Sequence, residues 1–297
     1  MKKMTKFFAL ALLAGAMVSC STEDIAPSTQ NDKVAVQFTG GISVNTRAAG
    51  LAWADGDKIG IFMTGANQTL SADAIQEGVD NICYQTSGSI GFSPVSGGKT
   101  VFFPIDGDVD FYSYYPQTTV NDYKVALDVT DQRKQEAIDF MYAKTEGCNK
   151  ATPQVFLKFY HKLSNLVLDV QPGNGLTQED LKKMTVTVKG QNTKATFNLA
   201  DGTISGEGNP TDIKMKTTQA GKLYEAILLP TEEASRVIEF DLNNGYDAPF
   251  VWTMPAKLEG GNRYHYTVVK LSRSAVDISG NIEPWIKAGD DNEHIAQ

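Results

Sequence analysis

The sequence predicts an all-β protein. Apolar residues recur at every second position in short runs along most of the chain, a pattern typical of half-buried strands. The runs are bounded by turn formers, as at Asp106-Gly107-Asp108 and Asn243-Asn244-Gly245. Helical signals are few, and the best is a capping-box pattern from Thr177 to Asp180 that predicts a short helix. Many short strands at this spacing indicate antiparallel sandwiches or barrels.

The alternating runs fall into two strand-rich halves. Those of the first half begin at Val34, Val109, Val125 and Ile138, and those of the second at Met184, Ala195, Ile238 and Tyr264. Between them, Lys144 to Pro153 is the weakest stretch in the middle of the chain. Because 297 residues are too many for one ordinary domain, we expect two domains, at residues 33–152 and 153–297.

Charge and cysteine content exclude several classes of protein. The net charge is −8, from 27 basic and 35 acidic residues, so no nucleic-acid partner is predicted. Cys83 and Cys148 either form a disulfide in an oxidising compartment or remain buried thiols, and the sequence leaves both open. The one calcium-like pattern begins at Asp106 but has Phe111 and Gln117 where an EF-hand needs Gly and Glu. We therefore predict no metal site and interpret the segment as a turn.

Catalytic motifs are missing from the sequence. It has three histidines, no nucleophile elbow, no His-Glu-x-x-His helix and no P-loop. His161 follows the phase of an apolar strand and is interpreted as a structural histidine at the strand's end. The prediction is that the chain is not an enzyme and uses no cofactor.

Aromatic residues allow two interpretations. The segment Phe111-Tyr112-Ser113-Tyr114-Tyr115-Pro116 places rings on both faces of a strand, and Trp53, Trp252 and Trp285 lie near strand edges. Rings stacked on an exposed sheet would suit glycan binding, whereas rings covered by a neighbouring loop or chain belong to a core. We favour the core because Tyr and Trp often serve that way.

The N-terminus predicts secretion as a lipoprotein. Three lysines within the first six residues precede the apolar run Phe7 to Val18, which is too short to span a bilayer. Residues 1–19 are therefore predicted to be a signal peptide. Cys20 follows directly and resembles the acylated cysteine of a bacterial lipobox, although Met17 stands where a leucine-like residue is usual. An acylated Cys20 would anchor the protein to a membrane.

Residues 20–32 are predicted to form a flexible tether. The stretch is polar, with one proline and no aromatic residue, so it has little to bury. Its acidic start, Ser21-Thr22-Glu23-Asp24, resembles the surface-export signal of Bacteroidota lipoproteins. A solubilising linker is the alternative interpretation, and both can hold together.

Several segments resemble one family when taken in order. They are Val36 to Gly40 with Asn45-Thr46-Arg47, Trp53 to Phe62, Phe111 to Pro116, Phe159 to Ser164 and Ile282 to Trp285. With the lipobox, they are similar over essentially the whole chain to the fimbrillin family of Bacteroidales, the Mfa-like and FimA-like subunits of type V pili. The resemblance implies two transthyretin-like β-sandwich domains in tandem. It also implies lipoprotein export, removal of the first strand by an arginine-specific protease, and replacement of that strand by one from a neighbouring subunit.

The resemblance places proteolytic processing between Arg47 and Ala48. This arginine lies between a strand and a glycine-containing turn, where local opening is easy; a solvated loop arginine is the alternative. The removable strand is residues 33–45, whose apolar alternation gives Val34, Val36, Phe38, Ile42 and Val44. Removing this strand would expose an apolar groove and unpaired backbone groups. Filling the groove with a new strand is worth on the order of 10 kcal/mol.

The candidate donor strand lies at residues 276–288. Its apolar candidates are Ile278, Ile282, Trp285 and Ile286. Pro284 cannot donate to a sheet ladder, which confines the segment to an edge or a bend. The polar end from Ala288 to Gln297 is a poor apolar strand, so the sequence leaves open both a stalk subunit and a tip or accessory subunit.

The expected function is that of a structural subunit of a cell-surface fimbrium that supports adhesion. Its expected partners are other fimbrial subunits, the outer membrane through the lipid anchor before processing, and a host or glycan ligand that the sequence does not identify. The alternative is a monomeric surface lipoprotein that binds glycans or host ligands. A static binding module would need neither Arg47 nor a removable strand.

Overall fold

The computed structural model describes residues 33–43, 52–273 and 275–284. These residues form strands joined by turns, with two single-turn 3₁₀ helices at Ala72–Ala74 and Gln135–Ala137. The predicted all-β class is confirmed. The described residues contain no helix with the length and apolarity that a membrane crossing requires.

The strands are numbered in chain order. Those up to the middle of the chain are β1 Gln37–Ile42, β2 Asp55–Gly65, β3 Ile82–Ser87, β4 Gly91–Pro94, β5 Val109–Tyr115, β6 Lys124–Asp128, β7 Met141–Cys148, β8 Gln154–His161 and β9 Ser164–Pro172. The rest are β10 Thr185–Asn198, β11 Ile204–Lys214, β12 Lys216–Gln219, β13 Leu223–Leu228, β14 Arg236–Asp241, β15 Phe250–Met254, β16 Asn262–Ser272 and β17 Ala275–Pro284.

Seven strands close into a barrel in the order β1-β4-β3-β2-β5-β7-β8. Its interior is filled by alternate side chains of these strands, among them Ile59, Ile61, Met63, Phe111 and Leu157, all fully buried. Because successive side chains of a strand point to opposite faces, the period-two pattern in the sequence becomes the inside and outside of this barrel.

Two further sheets enclose a second core. One has the order β11-β10-β14-β15, with β6 also pairing with β10, and the other has the order β12-β13-β9-β16-β17. Strand β5 is buried on both faces. Its Phe111 belongs to the barrel core, whereas Tyr112 and Tyr114 belong to the second core. One aromatic strand thus contributes to both cores.

Strand pairing crosses the boundary placed between residues 152 and 153. Strand β8 follows that boundary in sequence, yet it pairs with β1 and β7 in the barrel. Strand β6 precedes the boundary, yet it pairs with β10 of the second half. The division into two transthyretin-like domains stays a prediction.

Two local predictions are wrong. The helix expected after Thr177 is a series of turns. Its capping contacts form, since the Thr177 N–H donates to Asp180 Oδ2 at 2.7 Å, but Met184 is already buried and β10 starts at the next residue. This leaves little length for a helix. The alternation expected from Ile138 becomes a strand only at Met141, after the second 3₁₀ helix.

Candidate functional site

Strand β1 closes the barrel. It runs parallel to β8, with Gln37–Ile42 in register with Gln154–Phe159, and antiparallel to β4, with Phe38 opposite Phe92. Each of its neighbours would become a sheet edge if β1 left, because β1 alone joins β4 to β8 in the barrel order. Open edges of this kind readily accept another strand.

The predicted inward side chains of this strand are anchored in the barrel core. Phe38 is 2% exposed, and its ring makes edge-on contacts with Tyr84 and Phe111, with centroids 5.2 and 5.1 Å away. Val36 is also buried. Val34 and Ile42 are partly buried against the same core.

The backbone of this segment is bonded on both sides. The N–H groups of Val36, Gln37, Gly40 and Ser43 donate to the carbonyls of Val101, Pro153, Ile90 and Phe159, at 3.0, 2.9, 2.7 and 2.8 Å. Two buried side chains at roughly 2 kcal/mol each and several backbone bonds at about 1 kcal/mol each make the seating of residues 36–43 worth on the order of 10 kcal/mol. That is comparable with the stability of a whole domain.

Gly40 is the tightest buried position of the strand. A Cβ atom there would lie 2.8 Å from Cε2 of Phe92 and 3.3 Å from Cε2 of Phe159. Trp53 packs edge-on against both rings and donates its indole N–H to the Gly40 carbonyl at 2.8 Å. Only a glycine leaves the buried rings of Phe92 and Phe159 in place. Sequence reasoning missed this role, because nothing near Gly40 in the chain indicates which rings face it.

The candidate donor segment is already paired within its own chain. Strand β17 lies at the end of its sheet and pairs antiparallel with β16, with Ile278 opposite Val269 and Ile282 opposite Tyr264. Pro284 is the last residue of this edge strand, in keeping with the expectation that it lies at an edge. Donation to another subunit would require β17 to leave β16.

Several predicted residues lie outside the described part of the chain. They are Cys20, Val44, Arg47, Ala48, Trp285 and Ile286, together with the signal peptide at 1–19 and the tether at 20–32. Lipidation and processing at these residues stay predictions.

Cys83 in β3 and Cys148 in β7 are free, half-buried thiols. Burial raises the pKa of both. At Cys148 the nearby carboxylates of Asp110 and Asp108 add to the effect of burial, and the pKa reaches about 11. Both cysteines are therefore held in the protonated, weakly nucleophilic form at neutral pH.

The aromatic residues considered for glycan binding are mostly covered. Tyr112, Tyr114 and Trp53 are buried, and Trp252 is half-buried with its ring centroid 4.8 Å from that of Tyr266. Trp285 lies outside the described residues. The favoured interpretation of the β5 aromatics as core residues is confirmed.

Polar residues singled out by the sequence have structural contacts. His161 ends β8, is buried, and has its Nδ1 atom 2.8 Å from Asp139 Oδ1. Asp110, which lies in the calcium-like segment that begins at Asp106, is buried and accepts hydrogen bonds from the N–H groups of Asn67 and Gly147. Across the described ranges, no group of three or more His, Cys, Asp or Glu side chains is arranged to hold a metal ion.

These features define an all-β protein whose barrel is completed by its own first strand. A family model described as fimbrillin-like matches residues 46–285, and the chain belongs to this family. It is 33% identical to "Putative fimbrium subunit Fim1C" of Bacteroides uniformis over 293 residues, covering 93% of each chain.

Solved structures agree with this assignment. A protein of Bacteroides uniformis described as a "putative cell adhesion protein" is 31% identical, with a TM-score of 0.73 over 85% of this chain and 99% of the other. A protein of Bacteroides ovatus with the same description is 25% identical, with a TM-score of 0.68 over 86% and 98%. The fold is also similar to the tip fimbrial protein Mfa3 of Porphyromonas gingivalis, at 10% identity and a TM-score of 0.50 over 84% and 99%. Together, these relatives support a fimbrial subunit role at the cell surface.

Proposed function

We propose that this protein is a structural subunit of a fimbrium that supports adhesion and assembles by donor-strand exchange. The observation that carries the proposal is the position of β1, which alone joins β4 to β8 in the barrel order. Its Phe38 and the preceding residue Val36 are buried in the barrel core. Removing it would leave two unpaired edges and an apolar groove. A strand from a neighbouring subunit would restore both kinds of contact.

Maturation in this proposal begins at the N-terminus. The signal peptide at 1–19 directs export, acylated Cys20 anchors the chain to the outer membrane, and residues 20–32 hold the body away from the membrane surface. Cleavage between Arg47 and Ala48 then separates the anchor and β1 from the body. The body is proposed to be two transthyretin-like domains.

The partners are other fimbrial subunits, with β17 of one subunit as the donor to the groove of the next. A structural role of this kind needs no catalytic chemistry and no cofactor. The alternative of a static glycan-binding lipoprotein gains no support from the aromatic residues proposed for it, because Tyr112, Tyr114 and Trp53 are buried.

An arginine-specific protease tests the proposal directly. The purified protein is incubated with the protease, and size and N-terminal sequence are followed together. We expect a new N-terminus at Ala48 and the appearance of oligomers. Arg47→Ala should block both and leave a monomer. Arg133→Ala is the matched control, because the Arg133 side chain is 88% exposed but lies away from β1 in sequence; this variant should be cut and should polymerise like the parent.

A second variant separates donating from accepting. A chain truncated after Leu271 lacks β17, so it should be cleaved at Arg47 but should only accept strands. The proposal fails if cleavage maps elsewhere, or if the Arg47→Ala chain polymerises as readily as the parent.

A further inference from the structure

Residues 36–42, which include β1, and residues 276–282 of β17 carry the same apolar pattern. At every second position, each segment has valine, a larger apolar residue, glycine and isoleucine, in that order. These residues are Val36, Phe38, Gly40 and Ile42 in the first segment and Val276, Ile278, Gly280 and Ile282 in the last. Three of the four positions carry apolar side chains of similar kind, and the fourth is glycine in both strands.

Glycine sets the register that a replacement strand can adopt. The rings of Phe92 and Phe159 leave no room for a Cβ at the position of Gly40, and Trp53 packs against both rings. A larger residue would have to displace buried aromatic side chains. A strand that takes the place of β1 therefore needs a glycine at this position.

The C-terminal segment offers two glycines, Gly280 and Gly289. Placing Gly289 at the position of Gly40 would put Lys287 and Asp291 at the positions of Phe38 and Ile42. Burying two charges there without partners is strongly unfavourable. Gly280 instead brings Ile278 and Ile282 to those same positions.

The direction of the strand follows from Pro284. If the donor ran opposite to β1 with Gly280 at the same position, Pro284 would replace Val36, whose N–H donates to the Val101 carbonyl. Proline has no N–H, so that carbonyl would lose its partner. If the donor strand runs in the direction of β1, the hydrogen-bonding positions of Val36, Gln37, Gly40 and Ser43 are taken by Val276, Asp277, Gly280 and Glu283. Each of these residues has a backbone N–H to donate.

We propose that the donor is a second copy of this chain, with its residues 276–282 seated in place of residues 36–42, in the same direction. This inference rests on the proposed strand exchange and adds its partner and register. Because residues 276–282 fit the groove that residues 36–42 of the same sequence would leave, one copy of the protein is complementary to the next. A self-complementary subunit forms a homopolymer, as a fimbrial stalk requires.

One outward-facing position must adjust. Asn281 would take the place of Gly41, where a Cβ would lie 2.7 Å from Cζ of Phe156. The Phe156 side chain is on the outside of the barrel and 53% exposed, so its ring can swing into solvent. The register thus demands glycine only at the buried position.

Gly280 also has a role within its own chain. A Cβ there would lie 2.6 Å from the Tyr266 Cα atom, so changing Gly280 in the intact protein disturbs the β16–β17 hairpin as well. The test therefore uses peptides as donors, which carry no hairpin. The acceptor is the whole protein cut at Arg47, with Cys83 and Cys148 changed to Ser and a fluorescent label on the released strand.

Four peptides measure groove binding by displacement of that labelled strand. The peptide of residues 33–47 is the positive control for an open groove. The peptide of residues 274–288 is expected to displace the strand as well. Its Gly280→Val variant should bind at least tenfold more weakly, whereas Asn281→Val should bind within about threefold of the parent, the size of effect expected from overpacking a buried rather than an exposed site.

Disulfide trapping then reads the register. Thr39 lies opposite Gly91 of β4 on the outer face, so the proposed donor places Ser279 opposite Gly91. A Ser279→Cys peptide should crosslink to a Gly91→Cys acceptor. Peptides with Asp277→Cys or Asn281→Cys, which face the same side two residues away, should crosslink much less.

Each possible outcome supports or overturns the proposed register, self-donation or strand exchange. The proposed register is supported if the Ser279→Cys peptide crosslinks most strongly and the Gly280→Val peptide binds weakly. If the tail peptide binds but crosslinking is strongest for the Asp277→Cys or Asn281→Cys peptide, the proposed register is wrong and strand exchange still stands. The same conclusion follows if the Gly280→Val peptide binds as well as its parent. If the 33–47 peptide binds and no tail peptide does, self-donation is wrong. If neither binds, the groove does not open and the proposed function fails with the inference.

Discussion

Trp53 donates its indole N–H to the main-chain carbonyl of Gly40, across 2.8 Å in the barrel wall. The two residues lie on opposite sides of Arg47 in the sequence. Cleavage at Arg47 would therefore place donor and acceptor on separate chains. Since Trp53 is only 6% exposed, loss of β1 would leave a buried donor without its partner, at a cost of about 1–3 kcal/mol. In the proposed exchange, an incoming strand would restore this bond by presenting a carbonyl at the same place.

Trp53→Phe is expected to loosen β1. The smaller ring keeps part of the aromatic packing but loses the hydrogen bond to Gly40, so stability should fall by about 1–3 kcal/mol. Cleavage at Arg47 should become faster, because the strand opens more often. Denaturant unfolding and the rate of proteolysis measure the two effects. Trp252→Phe, which alters a tryptophan of β15 packed against Tyr266, is the control and should leave the cleavage rate unchanged.

Gly40→Ala and Gly41→Ala form a matched pair. Alanine at 40 meets the buried rings of Phe92 and Phe159, whereas alanine at 41 meets the end of the exposed Phe156 side chain. Overpacking should cost about 1–3 kcal/mol at Gly40 and less than half of that at Gly41. Thermal unfolding of both variants checks the difference, and equal losses would show that the rings around Gly40 give way freely.

Cys20→Ala should abolish lipidation. Without a thiol at the predicted acylation site, metabolic labelling with palmitate should disappear and the precursor should remain unprocessed or unanchored. Labelling followed by gel electrophoresis of membrane and soluble fractions measures this, with Cys83→Ala as the control that keeps the label. Unchanged labelling of the Cys20→Ala protein would contradict the lipoprotein assignment.

The thiol of Cys148 should react only at high pH. Burial and the carboxylates of Asp110 and Asp108 raise its pKa to about 11, whereas an unfolded cysteine ionises near pH 8.5. Because the folded pKa is raised for a group that becomes negative, the thiol's stabilising contribution is present below about pH 8.5 and is lost as the pH rises toward 11. The pH profile of alkylation by iodoacetamide, in a Cys83→Ser background, should have its midpoint well above that of a model peptide. A midpoint at the peptide's value would contradict the burial of this thiol.

Some features of the site are local and were readable from the sequence. The alternation of Val36 and Phe38 predicted which side chains point inward, because side-chain alternation is a property of each strand by itself. The same reasoning made Pro284 an edge residue. It failed at Thr177, where the capping contacts form but the distance to the next strand does not allow a helix. There, the early start of β10 overrides the local preference for a helix.

The sequence by itself determined the all-β class, the inward face of β1 and the resemblance to the fimbrillins, since all three depend on residue type and short spacing. The tertiary structure decided the rest. It paired β1 in parallel with β8 more than a hundred residues away, placed β6 beside β10, and brought Phe92, Phe159 and Trp53 around Gly40. Pairings over such distances depend on which strands bury each other's side chains best, and no short stretch of sequence contains that information.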